Sequence, residues 1–370
     1  MKPAREDAAL RAARLREGRR AARALLVEVE GSAPLPEGAS MLVDESGQVE
    51  GSITGGCVEG AVAQEALRVL GGESPKRLIY GISDEFAGTV GLACGGTVHI
   101  FVSELGPARR SVEEAALEGV AAGRPVALAT LLDGESAGAE LALIDGEPVG
   151  SLGSPRLDQA VTRDAAALLD QGVTTVRRYG PDGETHGTEL GVHVASFAAS
   201  PQMLIFGAID FSAALARVAA EVGYAVTICD PREAFVRSER FARSAEVRVA
   251  WPQDVLADLT LGPRDAILVF THDSKLDEPA LLAALETGAG FIGALGSRRT
   301  TADRNRRLVE AGVDEAGLER IHAPCGLDIG SSTPEEVAIS ILAEIIAERT
   351  GRDGTPLRAT GGPIHTRRGR

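Results

Sequence analysis

Two stretches of this chain repeat one another at a fixed distance. "GSITGGCVEGAV" begins at Gly51 and "GSLGSPRLDQAV" begins at Gly150. Gly51-Ser52 aligns with Gly150-Ser151, Ala61-Val62 with Ala160-Val161 and Tyr80-Gly81 with Tyr179-Gly180, each at an offset of 99 residues. Upstream, "GRRAARALLVEV" resembles "GRPVALATLLDG" after a small loop change. A constant offset at separated places marks one supersecondary unit used twice. Residues 10–198 are therefore expected to form an N-terminal domain of two α/β copies, 10–105 and 115–198.

Each copy reads as helix, strand, hairpin, helix, strand. "AARALLVEVE" has strand character, and "MLVDESGQVEGSI" alternates around an Asp-Glu-Ser-Gly turn, a hairpin signal. "VEGAVAQEALRVL" carries apolar residues at helical spacing, and "TVHIFVSEL" is a further strand.

The copies differ where chemistry is expected. Gly55-Gly56-Cys57 of the first is replaced by Ser154-Pro155-Arg156 in the second. "GLACGGTVHIFV", with Cys94-Gly95-Gly96, becomes "GTELGVHVASF". The shared scaffold does not need these two cysteine loops. Cys57 falls at the start of the helix expected from Val58, where free N–H groups and the helix dipole attract anions and activate a thiol. Gly55 and Gly56 let the backbone approach a ligand, and Gly95 and Gly96 do the same beside Cys94. Glu59 in the first turn is either a base or a helix-start acid. The bland alternative makes both cysteines small core residues. As a zinc site the pair falls short of four ligands, and His99 reads as a strand histidine.

From residue 203 the pattern changes to strands alternating with helices: "MLIFGA", "YAVTICD", "AEVRVAW", "DAILVFTHD" and "GFIGALGS". This implies a Rossmann-like, doubly wound parallel sheet over 203–349. Residues 198–202 form the linker, and 350–370 read as a disordered Gly/Pro/Arg-rich tail. Gly207 and Asp230 are placed as in a dinucleotide-binding βαβ unit. The fingerprint is damaged, however: Ile209 stands where its second glycine belongs, and Asp210 adds negative charge. NAD or NADP is a doubtful cofactor on this reading. Other loops at strand ends offer His272, Asp273, Lys275 and Asp277, and then Gly296, Ser297, Arg298 and Arg299 opening a helix. The second loop suits a phosphate, or is an ordinary solvated helix start. Thr333, Pro334 and Glu336 form a capping box, and Asp328 is a candidate for the crevice.

The formal net charge of −15 argues against a nucleic-acid partner. There is no apolar run long enough for a membrane helix and no signal-like N-terminus, so a cytoplasmic protein is expected. Its four cysteines, with no CxxC pair, read as free thiols.

Together "GSITGGCVEGAV", "GLACGGTVHIFV", "GALGSRRT" and "GLDIGSSTPEEVAISILAEIIA" resemble the XdhC/CoxI family, accessory proteins of xanthine dehydrogenase and carbon monoxide dehydrogenase. The resemblance spans residues 12 to 349. It implies a cysteine-bearing N-terminal domain, a Rossmann-like C-terminal domain, and a role in molybdenum cofactor maturation. Family members bind the molybdopterin cofactor and help deliver its sulfurated form to a molybdenum hydroxylase. Carried over, Cys57 and Cys94 are the catalytic positions and the soft ligands for the metal, and Gly296–Arg299 is the crevice motif. Expected partners are the hydroxylase client, a cysteine desulfurase and a second copy of the chain. The chain is expected to act as a chaperone without turnover; the alternative is an NAD(P)-dependent oxidoreductase. Many members carry Gly-x-Gly where this chain has Gly207-Ala208-Ile209, and many have an apolar residue at the position of Cys325, to which no role is assigned.

Overall fold

The computed structural model describes residues 20–31, 33–81, 96–236, 241, 244–271 and 273–361. It divides into a first unit ending at Ala199 and a second over Ser200–Thr360.

The first unit runs β1 (Ala21–Glu30), β2 (Ser40–Asp44), β3 (Val49–Gly51), α1 (Glu59–Leu70), β4 (Lys76–Tyr80) and β5 (Thr97–Glu104). It continues with α2 (Pro107–Ala121), β6 (Val126–Leu131), β7 (Glu140–Ile144), β8 (Glu147–Ser151), α3 (Pro155–Gln171), β9 (Thr175–Tyr179) and β10 (Leu190–Phe197). The strands form two five-stranded antiparallel sheets of the same order, β3-β2-β1-β5-β4 and β8-β7-β6-β10-β9. This is the duplicated α/β unit expected from the repeat. One element of it was not legible: each copy has two strands after its helix rather than one. β4 is an edge strand, half-exposed along most of its length, so its pattern does not alternate. The helix expected before β1 lies outside the described residues.

Burial follows strand parity. Ala22, Ala24 and Leu26 of β1 join Met41 and Val43 beneath Val62, Ala66 and Val69 of α1. Ala127, Ala129 and Leu131 of β6 join Leu141 and Leu143 beneath Ala160, Val161 and Ala165 of α3. Alanines in these strands let the helices approach closely. The opposite faces meet each other: Leu25, Val27 and Phe101 pack with Leu132 of the second copy. The repeated Gly-Ser has a steric origin. Gly51 and Gly150 have φ of 86° and 93°, and a Cβ on either would stand 2.5 Å from a main-chain oxygen, that of Ser40 or Glu140. Only glycine fits at either place.

Between the copies lies a buried polar cluster. Arg23 Nη1 donates to Glu113 Oε1 (2.5 Å), and Nη2 donates to Thr130 Oγ1 (3.0 Å) and to Glu140 Oε1. Glu140 also accepts from Arg109 Nη2 at 2.9 Å. His193, paired with Thr130 in the β6–β10 ladder, is 1% exposed, and neither ring nitrogen has a hydrogen-bond partner. Burial, and then the Arg23 charge, push its pKa down to about 3. The unfolded chain takes up this proton below about pH 6.5 while the folded chain refuses it. Stability is therefore whole above about pH 6.5 and falls as the pH drops toward 3, by at most about 1.4 kcal/mol per pH unit. Strand pairing makes Phe101 the first-copy counterpart of His193. Chemical denaturation at pH 7.5 and pH 5.5 is expected to show a flatter pH dependence for His193→Phe than for the parent; equal slopes would contradict the assignment.

The second unit is a six-stranded parallel sheet of order β13-β12-β11-β14-β15-β16. Its strands are β11 (Gln202–Phe206), β12 (Ala225–Cys229), β13 (Glu246–Arg248), β14 (Ala266–Val269), β15 (Phe291–Ala294) and β16 (Ile321–His322). The helices are α4 (Asp210–Glu221), α5 (Glu233–Val236), α6 (Pro252–Ala257), α7 (Ser274–Leu285), α8 (Arg298–Glu310), α9 (Glu315–Glu319) and α10 (Pro334–Thr350). Ala213, Ala216 and Ala219 of α4 and Ile341 and Ile345 of α10 cover one face. Val255, Leu281, Ala284 and Leu308 cover the other. This is the doubly wound architecture, with its strand order reversing between β11 and β14. The Thr333–Glu336 capping box forms in both directions. Beyond α10, the expected disordered tail carries a 3-10 turn at Leu357–Ala359; residues 362–370 lie outside the described residues. No helix among the described residues is long and apolar enough to cross a membrane.

Candidate functional site

The Gly-Gly-Cys loop follows β3, and the second copy shows what it has done to the helix. At the 99-residue offset Gly56 corresponds to Pro155. Yet α3 begins at Pro155, whereas α1 begins only at Glu59. In the first copy the helix's opening turn has been unwound into a loop. Gly55 and Gly56 make this conformation accessible, with φ of 76° and 113°. A Cβ on Gly56 would meet no atom of the described residues within 4 Å, so these leave the space beside the loop open. The amide of Cys57 in this loop has no acceptor among the described residues, and neither do those of Glu59, Gly60 and Ala61, which open the first turn of α1 as in any helix.

Glu59 holds the loop in place. Its carboxylate accepts from the hydroxyls of Ser52 (2.7 Å) and Thr54 (2.8 Å). It also accepts from the amides of Ile53 (3.2 Å), Thr54 (2.8 Å), Gly56 (2.9 Å) and Val58 (3.2 Å). Burial alone would raise its pKa; these donors outweigh burial and hold it well below the usual carboxylate range. The second copy repeats the device: Asp158 accepts from Ser151 Oγ and from Leu152 N, both at 2.7 Å. Glu59 and Asp158 stand 99 residues apart. The acid is thus part of the shared scaffold. Of the two expectations for Glu59, a base or a helix-start acid, the geometry bears on the first: its oxygens are spent on the loop, and a carboxylate stabilised in its charged form is a poor proton acceptor.

Three cysteines fall within the described residues, and they divide cleanly. Cys229 and Cys325 are buried, and burial pushes both thiols up to about 12. Cys57 is half-buried, resting against the α1-side core while keeping part of its surface free. It is the described thiol that a ligand can reach. Cys94 and Gly95 lie outside the described residues; Gly96 is buried directly before β5. Cys57 has no neighbouring set of His, Cys, Asp or Glu that would share a metal ion with it among the described residues. The one such group there is Glu28, Glu30 and His99. A register shift between Leu26 and Glu28 places Glu28 opposite His99, a juxtaposition the sequence pattern did not reveal.

In the second unit the nucleotide reading fails on geometry. Asp230, at the end of β12, is fully buried. It accepts from Arg232 Nε and Nη2, both at 2.8 Å, and from the Ala208 amide at 2.9 Å. Burial would raise its pKa, but Arg232 and these amides outweigh it and hold the carboxyl below the usual range. The oxygens that would bind a ribose, and an amide of the turn that would face a pyrophosphate, are tied to each other. A Cβ on Gly207 would stand 2.9 Å from the Thr271 amide, so this glycine serves packing against the adjacent strand. In this structure both residues are engaged within the scaffold itself.

His272 lies outside the described residues. Asp273 caps α7 by accepting from the Lys275 amide at 3.0 Å. Asp277 is buried and accepts from the Thr271 hydroxyl, and Asp328 is exposed. Gly296–Arg299 sits at the carboxyl end of β15. Ser297 caps α8, accepting from the Thr300 amide at 3.1 Å, and Arg298 and Arg299 are exposed. Beneath them is a residue that sequence reasoning missed. Arg304 is 1% exposed, with Nη2 donating to Leu295 O at 2.7 Å. Thr301, Arg304 and Leu308 are the buried residues of α8. Their spacing of three and four, which a helical projection would have shown, is the signal that marks Arg304 as inward-facing.

Comparison with known proteins follows the same two-part division. A family model described as the XdhC Rossmann domain matches residues 203–345. A second, described as the XdhC and CoxI family, matches residues 14–81 and 120–180. The chain is 28% identical over 329 residues to a Bacillus subtilis protein named as a probable xanthine dehydrogenase component, covering 88% of this chain and 92% of that one. It is 28% identical over 335 residues to the molybdenum cofactor insertion chaperone PaoD of Escherichia coli, covering 90% and 85%. The crystal structure of a xanthine dehydrogenase from Bacillus halodurans matches with a TM-score of 0.65 and 25% identity, over 94% of this chain and 96% of that one.

Proposed function

Since the chain belongs to the XdhC and CoxI family, we propose that it is a maturation factor that carries the molybdenum cofactor to a molybdenum hydroxylase of the xanthine dehydrogenase or carbon monoxide dehydrogenase type. The cofactor is cargo: the protein binds it, holds it in sulfurated form and hands it over without turnover. The name of the relative PaoD supports this reading. The observation that carries it is the unwound Gly55-Gly56-Cys57 turn, a device present in one copy of a duplicated scaffold and absent from the other.

The donor set suits such cargo. Cys57 offers a soft, reachable sulfur, the kind of ligand that pairs with thiophilic metals. Free amides at the unwound turn offer hydrogen bonds and partial positive charge to an anionic ligand. Open space beside Gly56 leaves room for the ligand's approach. Cys94, absent from the same copy, is the proposed companion thiol. A cysteine desulfurase and a second copy of the chain are the proposed further partners.

The test is the molybdopterin content of full-length protein purified from cofactor-producing cells, wild type beside Cys57→Ser. Wild type is expected to carry cofactor, and the variant at least about tenfold less.

A further inference from the structure

α8 begins with an electrostatic arrangement that opposes its own dipole. The helix carries five arginines, and no acid stands in its first turn. Arg306 and Arg307 are ion-paired, with Asp303 at 2.6 Å and with Glu278. Arg298 and Arg299 have no partner among the described residues, and they occupy the first two helical positions, at the positive pole. Cations there are destabilising unless an anion accompanies them. The amides of Arg298 and Arg299 have no acceptor among the described residues either.

A second observation lies under the same turn. Arg304 is almost wholly buried, yet its Nε and Nη1 have no hydrogen-bond partner. Thr301, one turn before it on the same face, is 8% exposed with an unpartnered hydroxyl. The guanidinium presses against the turn: its Nη2 lies 2.9 Å from where a Cβ on Gly296 would stand. Asp277 is the acidic group whose charge reaches Arg304. A buried guanidinium with two donor groups unspent is costly, and such groups in a folded protein call for a missing acceptor. The turn sits at the carboxyl edge of a parallel sheet, where ligands of this architecture bind.

We infer that Gly296, Ser297, Arg298 and Arg299, backed by Thr301 and Arg304, form a seat for a phosphate monoester dianion. Two uncommitted guanidinium groups, the two unspent donors of Arg304 and two free amides match a doubly charged, multi-acceptor oxyanion better than a carboxylate. The identity of its occupant, the terminal phosphate of the pterin cargo, rests on the proposed function; the seat itself does not. No equivalent cradle exists at the Gly207 turn, whose Ala208 amide is taken by Asp230.

The experiment is calorimetric titration of inorganic phosphate, AMP and NAD into cofactor-free full-length protein. Saturable one-site binding of phosphate is expected, with AMP within about threefold of it and NAD, which lacks a monoester, at least about tenfold weaker. The exposed double variant Arg298→Gln/Arg299→Gln is expected to weaken phosphate binding about tenfold or more. Arg304→Lys, which keeps the charge and loses the planar fork, is expected to weaken it as well. The double variant decides if that buried change unfolds the protein. Absence of saturable phosphate binding, equal binding by the double variant, or tighter binding of NAD would overturn the seat. Binding of AMP tenfold tighter than phosphate would overturn the cargo phosphate as its occupant. Because cofactor-free protein is titrated, each of these outcomes leaves the role of Cys57 to be judged by its own test.

Discussion

Exchanging Gly55-Gly56-Cys57 for Ser-Pro-Arg, the tripeptide at the same place in the second copy, is expected to leave a folded protein that no longer carries cofactor. The second copy demonstrates that the scaffold accepts this tripeptide: Pro155 opens a regular helix, and Asp158 still ties the preceding strand end to it. Proline cannot occupy the present conformation of Gly56, whose φ is 113°. The exchange must therefore rewind the opening turn of α1 to begin near residue 56, as α3 does. Ser52 and Glu59 remain to anchor the rewound turn. Thermal midpoint is expected to stay within about 3 °C of the parent, a stability change of order 1 kcal/mol. Bound molybdopterin is expected to fall at least about tenfold. Retention of cofactor by a rewound loop would mean that the unwinding serves something else.

A change of opposite character is expected at Arg23. Replacing it with leucine, which stands at the corresponding place in the β6–β10 pairing as Leu128, is expected to destabilise the fold by about 3 kcal/mol or more. Arg23 is 2% exposed, and Glu113 and Glu140 are no more exposed than that. Glu140 keeps Arg109, but Glu113 loses the Arg23 cation beside it in a buried interface between the copies. The loss comes from a buried carboxylate deprived of that charge rather than from the pair's intrinsic strength. The double variant Arg23→Leu/Glu113→Leu is accordingly expected to recover much of the deficit, since an apolar replacement of a buried ion pair is often neutral. Urea denaturation of the parent, the single and the double variants measures this directly. A double variant less stable than the single one would contradict it.

How far these features could be read in advance depended on how local they are. The repeat offset located both sheets because it reflects rigid elements, down to a glycine with no room for a Cβ at Gly51 and Gly150. The parallel sheet was legible because buried strands alternating with helices have few other solutions. The unwound turn was not, because the alignment runs unbroken through it: the offset of Cys57 from Arg156 is the same as that of Glu59 from Asp158. Only the helix starts differ. Glu59 was ambiguous for the same reason, since a helix-start acid and a catalytic one have identical local patterns. The Arg23 cluster joins residues 90 and 117 positions apart, which no periodicity records. Asp230 was read as a ligand from its position in the βαβ unit. Its real partners, two residues on and twenty-two residues back, remove it from the crevice.

The central claim is that the first copy gave up a helical turn to present Cys57 to the cofactor. The most direct measurement is molybdopterin per chain in wild-type and Cys57→Ser protein purified side by side from cofactor-producing cells, with matched thermal midpoints as proof of folding. Serine keeps the size and the loop and removes only the soft sulfur. At least about tenfold less cofactor in the variant is the predicted result; equal cofactor in two equally folded proteins would contradict it.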